Sequence, residues 1–344
     1  MNFSSIVPIA NPELETRIRH RLDSLTKPRG SLGRLESLAV QLGLIQSTDM
    51  PAVSRKAMLI FCGDHGIVEE SVSPYPAEVT GQMVSNFRAG GAAINVLCRH
   101  YSIEPVVVDM GVGAPTRNFA REPAMTRQQA VQAIEAGMSY SNVAYANVSN
   151  TNAADVFGAG EMGIGNSTSA AALLSAFSGI DPAETAGRGT GLDEAGVARK
   201  IEVIRRALAL HKPDPGDPVA VLAAFGGFEI AAIAGLILGA AVRRRVVVLD
   251  GFISCSAALV AGALSPASLD YVIFSHCSAE KGHRRMLEFL GAKPLLNLDL
   301  CLGEGSGAAM GISLLEASVK LYREMATFES AAVSRDTGVP QDIS

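Results

Sequence analysis

Residues 154–174 read ADVFGAGEMGIGNSTSAAALL, and the succession of residue types along this stretch decides the fold. A short apolar run gives way to glycines, and the glycines lead into an Asn/Ser/Thr cluster followed by small apolar residues. That is a strand, a tight turn and a helix start, the βα unit from which parallel sheets are built. The same texture recurs outward from residue 57, where AMLIFC, PVVVDM, VAVLAAF, VVVLDG and YVIFSH alternate with helical segments. Together they predict an α/β fold: a Rossmann-like parallel sheet of about six strands with helices on both faces. The start of the chain differs. Asn11-Pro12 is a good N-cap and N1 pair, Leu14, Ile18, Leu22 and Leu25 follow at helical spacing, and Leu32, Leu35, Ala39 and Leu42 form a second stripe after the break at KPRGS. Residues 1–50 are therefore expected to form a small helical domain, with a C-terminal helix of about 306–330 packing on it through Met310, Leu314, Leu315, Val319 and Tyr322. Residues 51–305 would be the α/β catalytic domain.

Composition narrows the function classes. Of 344 residues, 48% are apolar and 18% charged, which is a globular chain with a sizeable core, and the net charge of −5 disfavours an electrostatic grip on nucleic acid or an anionic membrane. A small-molecule partner fits better. Cys62, Cys98, Cys255, Cys277 and Cys301 are odd in number, widely spread and without a CxxC pair, so they read as reduced and mostly buried. The N-terminal sequence has no export leader, and the expected location is the cytoplasm. Val221–Val242, with Glu229 its only charge, imitates a membrane span, but Gly226-Gly227 interrupts it and VVVLDG follows, so it reads as strand, buried helix, strand.

In parallel sheets ligands bind beyond the carboxyl ends of the strands. Here those ends carry Asp64-His65-Gly66, Asp109-Met110-Gly111, the run Gly158–Gly165, Gly226-Gly227 and Asp250-Gly251. Asp109 and Asp250 read first as ordinary turn residues. Gly158-x-Gly160-x-x-Gly163 has the dinucleotide-binding spacing, which leaves a nicotinamide-dependent oxidoreductase as an alternative. That fingerprint also needs an acid at the next strand tip, and Asp181 sits instead in the turn SGIDPAET. More informative are two glycine loops that each hold a glutamate, Gly160-Glu161-Met162-Gly163 and Gly303-Glu304-Gly305, each before a helix start whose free N–H groups can take an anion. Each glutamate reads either as a charge stabilising a helix N-terminus or as a group facing something cationic or proton-donating. Gly187-Arg188-Gly189-Thr190-Gly191 precedes Asp193, an N-cap, and Lys200, which reads as part of a solvated basic face or as a phosphate counter-charge. No Walker A loop and no metal-ligand spacing is present. His276 and His283 read as hydrogen-bonded loop residues, and no metal or cofactor is expected.

Taken in order, KPRGSLGRLE, GDHG, GAGEMGIGN, GRGTGLDEAGVARK, AAFGGFEIAAIAGLILGAA, VVLDGFISCSAAL, SHCSAEKGH and LGEGSGAAMG, from about residue 27 to residue 325, resemble the nicotinate-nucleotide–dimethylbenzimidazole phosphoribosyltransferase family. The resemblance implies transfer of phosphoribose from nicotinate mononucleotide to 5,6-dimethylbenzimidazole, giving α-ribazole 5′-phosphate and nicotinate, by a homodimer with a six-stranded sheet. It implies Glu304 as general base and Glu161 near the ribose. Gly163, Gly189, Lys200 and Ser278 would meet the phosphate end of the donor, while Met162, Leu302 and Ser73 would line the base pocket, with Gln82 in the same SPYPAEVTGQMV segment. The leaving pyridinium needs no acid and the donor has no pyrophosphate, in keeping with one base and no metal motif. A helix N-terminus should lower the Glu304 pKa and burial should raise it, giving a working value near neutrality with substrate bound.

Overall fold

The computed structural model describes residues 5–142 and 154–334. Five strands, β1 (Lys56–Cys62), β2 (Glu104–Asp109), β3 (Val156–Met162), β4 (Val246–Leu249) and β5 (Val272–Phe274), form one sheet in the order β2-β1-β3-β4-β5. Every pairing is parallel, with Ile60 opposite Val107 and Gly160, Ala159 opposite Leu249, and Leu249 opposite Phe274. β1, β3 and β4 are buried along almost their whole length, as in a parallel sheet covered on both faces, so no polar alternation is required. Among the described residues the helices are α1 (Pro12–Ser24), α2 (Arg34–Gln46), α3 (Glu78–Ala89), α4 (Ala93–Tyr101), α5 (Arg127–Tyr140), α6 (Asn166–Ser178), α7 (Pro182–Thr185), α8 (Glu194–His211), α9 (Pro218–Phe225), α10 (Phe228–Val242), α11 (Phe252–Leu264), α12 (Lys281–Phe289) and α13 (Ser306–Glu324).

The sixth expected strand, VAVLAAF, is α9 instead. Asp217 caps it by accepting the Ala220 N–H, and Pro218 occupies the first helical position with its φ already suited to a helix. Val219, Val221, Leu222, Ala223, Ala224 and Phe225 are all buried, so the run carries no polar face from which a helical period could be read. The membrane-like stretch is accordingly two helices broken at Gly226-Gly227, and no described helix is long and apolar enough to cross a membrane.

The chain divides into two compact units, one built on Ser54–Ser313 with the segment ending at Pro8, the other on Ile9–Val53 with the segment starting at Leu314. The boundary falls within α13. In the smaller unit Asn11 caps α1 by accepting the Leu14 N–H at 3.1 Å, and Leu14, Ile18, Leu22, Leu25, Ala39, Val40, Leu44 and Tyr322 make its core. On α13, Leu315, Val319 and Tyr322 are buried while Met310 and Leu314 are only half-buried. In the larger unit α5 and α10 meet backbone to backbone. A Cβ on Gly137 would strike the Ala232 carbonyl, and one on Gly235 the Ile134 carbonyl. Gly235→Ala is expected to destabilise the fold by about 1–3 kcal/mol despite alanine's better helix propensity, because rigid backbone must move. Urea unfolding measures this, and an unchanged or higher midpoint would show that the two helices separate at little cost.

Candidate active site

At the carboxyl ends of β3, β4 and β5 lies a cavity lined by Glu161, Met162, Gly163 and the start of α6 on one side, and by Gly251, His276, Ser278 and Cys301–Gly303 on the other. Ser73, Gly189, Thr190 and Glu280 complete it. The cavity volume is about 90 Å³, well below the roughly 300–1,000 Å³ of a drug-sized site, so a larger ligand must extend beyond it.

Glu161 sits on β3, buried, and its Oε2 accepts the Asn166 Nδ2–H at 2.5 Å. Burial first, then the neighbouring charge of Asp250, pushes its carboxyl up to about 8, opposed by Asn166. At neutral pH it is mostly protonated and can donate a hydrogen bond. The folded value lies above the ordinary 4.5, so its contribution to stability is fully present below about pH 4.5 and is lost as pH rises through about 8. The unfolding free energy of the wild type minus that of Glu161→Gln is therefore expected to fall between pH 5 and 8, by at most about 1.4 kcal/mol per pH unit. Urea titrations across that range decide it. A difference that stays level or rises would mean that Glu161 is ionised in the folded protein.

The helix start and lysine expected to meet an anion lie beside it. α6 starts at Asn166 after Gly165 in the left-handed region (φ 98), so Asn166 and Ser167 line the cavity, while the Asn166 and Thr168 N–H groups donate to the Gly163 and Gly165 carbonyls. Behind them Lys200 is buried, with its Nζ donating to Ser167 Oγ at 2.8 Å, and burial lowers its pKa to about 8 against the opposing pull of Glu280. The expectation of a solvated basic face does not hold for Lys200, although Arg205 and Arg206 on the same helix are exposed and paired to Asp181 and Glu70.

Glu304 is placed differently. Its backbone is left-handed (φ 64) between Gly303 and Gly305, both also left-handed. The buried side chain accepts the Ile94 N–H at the start of α4, at 3.3 Å, and it is not among the cavity-lining residues. Burial raises its pKa and the Ile94 N–H opposes this. Glu304 is the smallest of the charges that raise the Glu161 pKa, and it is the neighbouring Gly303 that lies against Glu161, where a Cβ would be 2.5 Å from Oε1. Of the expected substrate residues, Ser73, Met162, Gly163, Gly189, Ser278 and Leu302 line the cavity. Lys200 reaches it through Ser167, whereas Gln82 is exposed on α3 and outside it.

Asp250 is no turn residue. It is buried and takes the Gly305 N–H on Oδ2 (3.0 Å) and the Gly307 (2.6 Å) and Ala308 (3.2 Å) N–H groups on Oδ1, tying the Glu304 loop to β4. Burial pushes its carboxyl up to about 7 in spite of those donors. Asp109 does form the expected turn, accepting the Gly111 and Val112 N–H groups. Asp193 caps α8 through Gly196, and Asp181 caps the short α7. His276 and His283 are hydrogen-bonded, with the Ser278 N–H donating to His283 Nδ1 at 2.8 Å. No group of residues suited to hold a metal occurs among the described residues. Cys62, Cys98 and Cys255 are buried, Cys277 is half-buried and Cys301 is exposed at the cavity.

The glycine spacing at 158–163 also takes on a different meaning. Gly158 and Gly160 lie inside β3, where a Cβ would strike Met58 and the Glu304 backbone; only Gly163 is in the turn. Those glycines serve close packing of strand against loop, not a dinucleotide turn. A phosphoribosyltransferase family model matches residues 7–333. The chain belongs to this phosphoribosyltransferase family. It is 50% identical to the nicotinate-nucleotide–dimethylbenzimidazole phosphoribosyltransferase of Cupriavidus necator, over 97% of this chain and 99% of that one. Identity to the enzyme of the same name from Chloroflexus aggregans is 48%, covering 93% of each. The crystal structure of CobT from Thermus thermophilus superimposes with a TM-score of 0.88 at 42% identity, over 94% of this chain and 100% of that one. None of these relatives favours the oxidoreductase alternative.

Several site residues carried no local signal. Asn166, Ser167 and Glu280 lie within motifs but only the fold turns them toward the cavity, and His65 pairs with Glu229 across 164 residues of sequence.

Proposed function

We propose that the protein transfers the 5-phosphoribosyl group of nicotinate mononucleotide to a ring nitrogen of 5,6-dimethylbenzimidazole, releasing nicotinate and α-ribazole 5′-phosphate. What carries this is one juxtaposition: the protonatable Glu161 lies beside an anion-receiving helix start backed by Lys200. The donor phosphate would rest at the positive end of the α6 dipole, beside Gly163, Gly189 and Ser278, and a nearby dianion would favour the protonated form of Lys200. The ribose would then lie over Glu161, with Met162, Leu302 and Ser73 against the acceptor ring.

The acceptor lone pair attacks the anomeric carbon as the bond to the pyridinium nitrogen breaks, and that electron pair neutralises the nicotinate ring. The product benzimidazole N–H proton passes to Glu304, whose Oε1 remains available while Oε2 holds Ile94. Holding both rings in line on opposite faces of the ribose supplies much of the rate and inverts β to α. Protonated Glu161 would donate a hydrogen bond to a ribose hydroxyl and would not repel the phosphate. We also propose, from the resemblance, a cytoplasmic homodimer.

Purified protein incubated with nicotinate mononucleotide and dimethylbenzimidazole in the presence of a chelator tests the reading. The expected products are nicotinate and the α-anomer in equal amounts. No turnover, a β-anomer, or reaction only after a divalent metal is restored would overturn it.

A further inference from the structure

We propose that His65 is a positioning residue of this site, fixing the first turn of α6 beneath the donor phosphate; this rests on the function proposed above. His65 follows β1, Glu229 lies in the first turn of α10, and Ser169 lies in the first turn of α6. All three are buried, at 3%, 0% and 0% exposure. His65 Nε2 is 2.6 Å from Glu229 Oε1, and Nδ1 is 3.1 Å from Ser169 Oγ. With the ring proton on Nε2, that N–H donates to Glu229 Oε1 and the bare Nδ1 accepts the Ser169 hydroxyl. One imidazole thereby joins three elements that are distant in sequence.

Two observations separate this from ordinary core polarity. First, the second Glu229 oxygen, Oε2, is buried with no hydrogen-bond partner. An orphaned carboxylate oxygen costs stability that apolar residues of similar size would avoid, so the pair is poorly explained by folding alone. Second, the ring forms the floor of the loop whose upper face lines the cavity. A Cβ at Gly163 would lie 3.2 Å from His65 Cδ2 and Nε2, and one at Gly165 would lie 3.3 Å from His65 Cβ. Gly163 and Gly165 therefore pack against His65, and the Ile164 N–H between them donates to Thr80 Oγ1 at 3.1 Å. Ser169 stands a few residues past Asn166 and Ser167, the two residues that bond Glu161 and Lys200. A shift of the imidazole would carry the loop and the helix start with it, and a misplacement of about 1 Å is enough to cost a large factor in rate or binding.

The test is a double-mutant cycle of His65→Gln and Ser169→Ala in the full-length enzyme, with KM measured separately for nicotinate mononucleotide and dimethylbenzimidazole. Glutamine retains an amide donor near Nε2 for Glu229 but offers nothing at Nδ1. Each single change is expected to raise the donor KM about tenfold, with the acceptor KM and kcat moving far less. The double variant should be no worse than the weaker single, because both changes cut one link. Additive effects, an equal rise in both KM values, or a folded Ser169→Ala enzyme with an unchanged donor KM would overturn the proposal. Should His65→Gln fail to fold, Ser169→Ala decides alone. Wild type without turnover would sink the functional reading, and this inference with it; wild-type turnover with unaffected variants would sink only this inference.

Discussion

Glu304→Gln should lower kcat by about a hundredfold to ten-thousandfold, with the donor KM little changed and the fold intact. Glutamine keeps an oxygen for the Ile94 N–H, which now satisfies one carboxylate oxygen at 3.3 Å, but it cannot take up the acceptor proton. The loop places the side chain at a left-handed residue between two left-handed glycines, a conformation that holds a non-glycine residue only at some cost in strain. Such strain is compatible with a group placed for chemistry. Steady-state kinetics with saturating acceptor provide the measurement, and the kcat profile of the wild type should lose activity on the acid side as Glu304 protonates. Normal turnover in the glutamine enzyme would remove Glu304 from the mechanism.

Asp250→Ala is expected to be the most destabilising single change near the site, at about 3–5 kcal/mol. It strips acceptors from three backbone donors at once, those of Gly305, Gly307 and Ala308. The buried N–H groups at the start of α13 would be left without partners, and the Glu304 loop would lose its tie to β4. Turnover should fall along with stability. Asp250→Asn, which can still offer one oxygen, should recover part of each. Urea unfolding at neutral pH measures the effect, and a loss below about 1 kcal/mol would show that water or rearranged backbone can replace the carboxylate.

Much of the architecture was legible because it rests on local chemistry. Asn11-Pro12 announces α1, Asp193 announces α8, four apolar runs ending at glycine or aspartate announce β1 to β4, and YVIFSH announces β5. VAVLAAF reads as a strand because a helix buried on every side looks like a buried strand; the deciding residues, Asp217 and Pro218, stand just outside the apolar run. The glycines at 158 and 160 match a nucleotide-binding spacing for a reason that concerns packing, since each lies where a neighbouring side chain or loop leaves no room for a Cβ. Gln82 follows its motif but lies on an exposed part of α3.

The sequence by itself determined the family, because the ordered glycine-embedded motifs are properties of residue type and adjacency. Only the tertiary structure decided which carboxyl enters the cavity, that Asp250 anchors the Glu304 loop, that Lys200 is buried behind Ser167, and that His65 meets Glu229. These depend on parallel register and on burial, which bring together groups far apart along the chain and change their proton affinities through loss of water. Neither effect is written in any short stretch of residues.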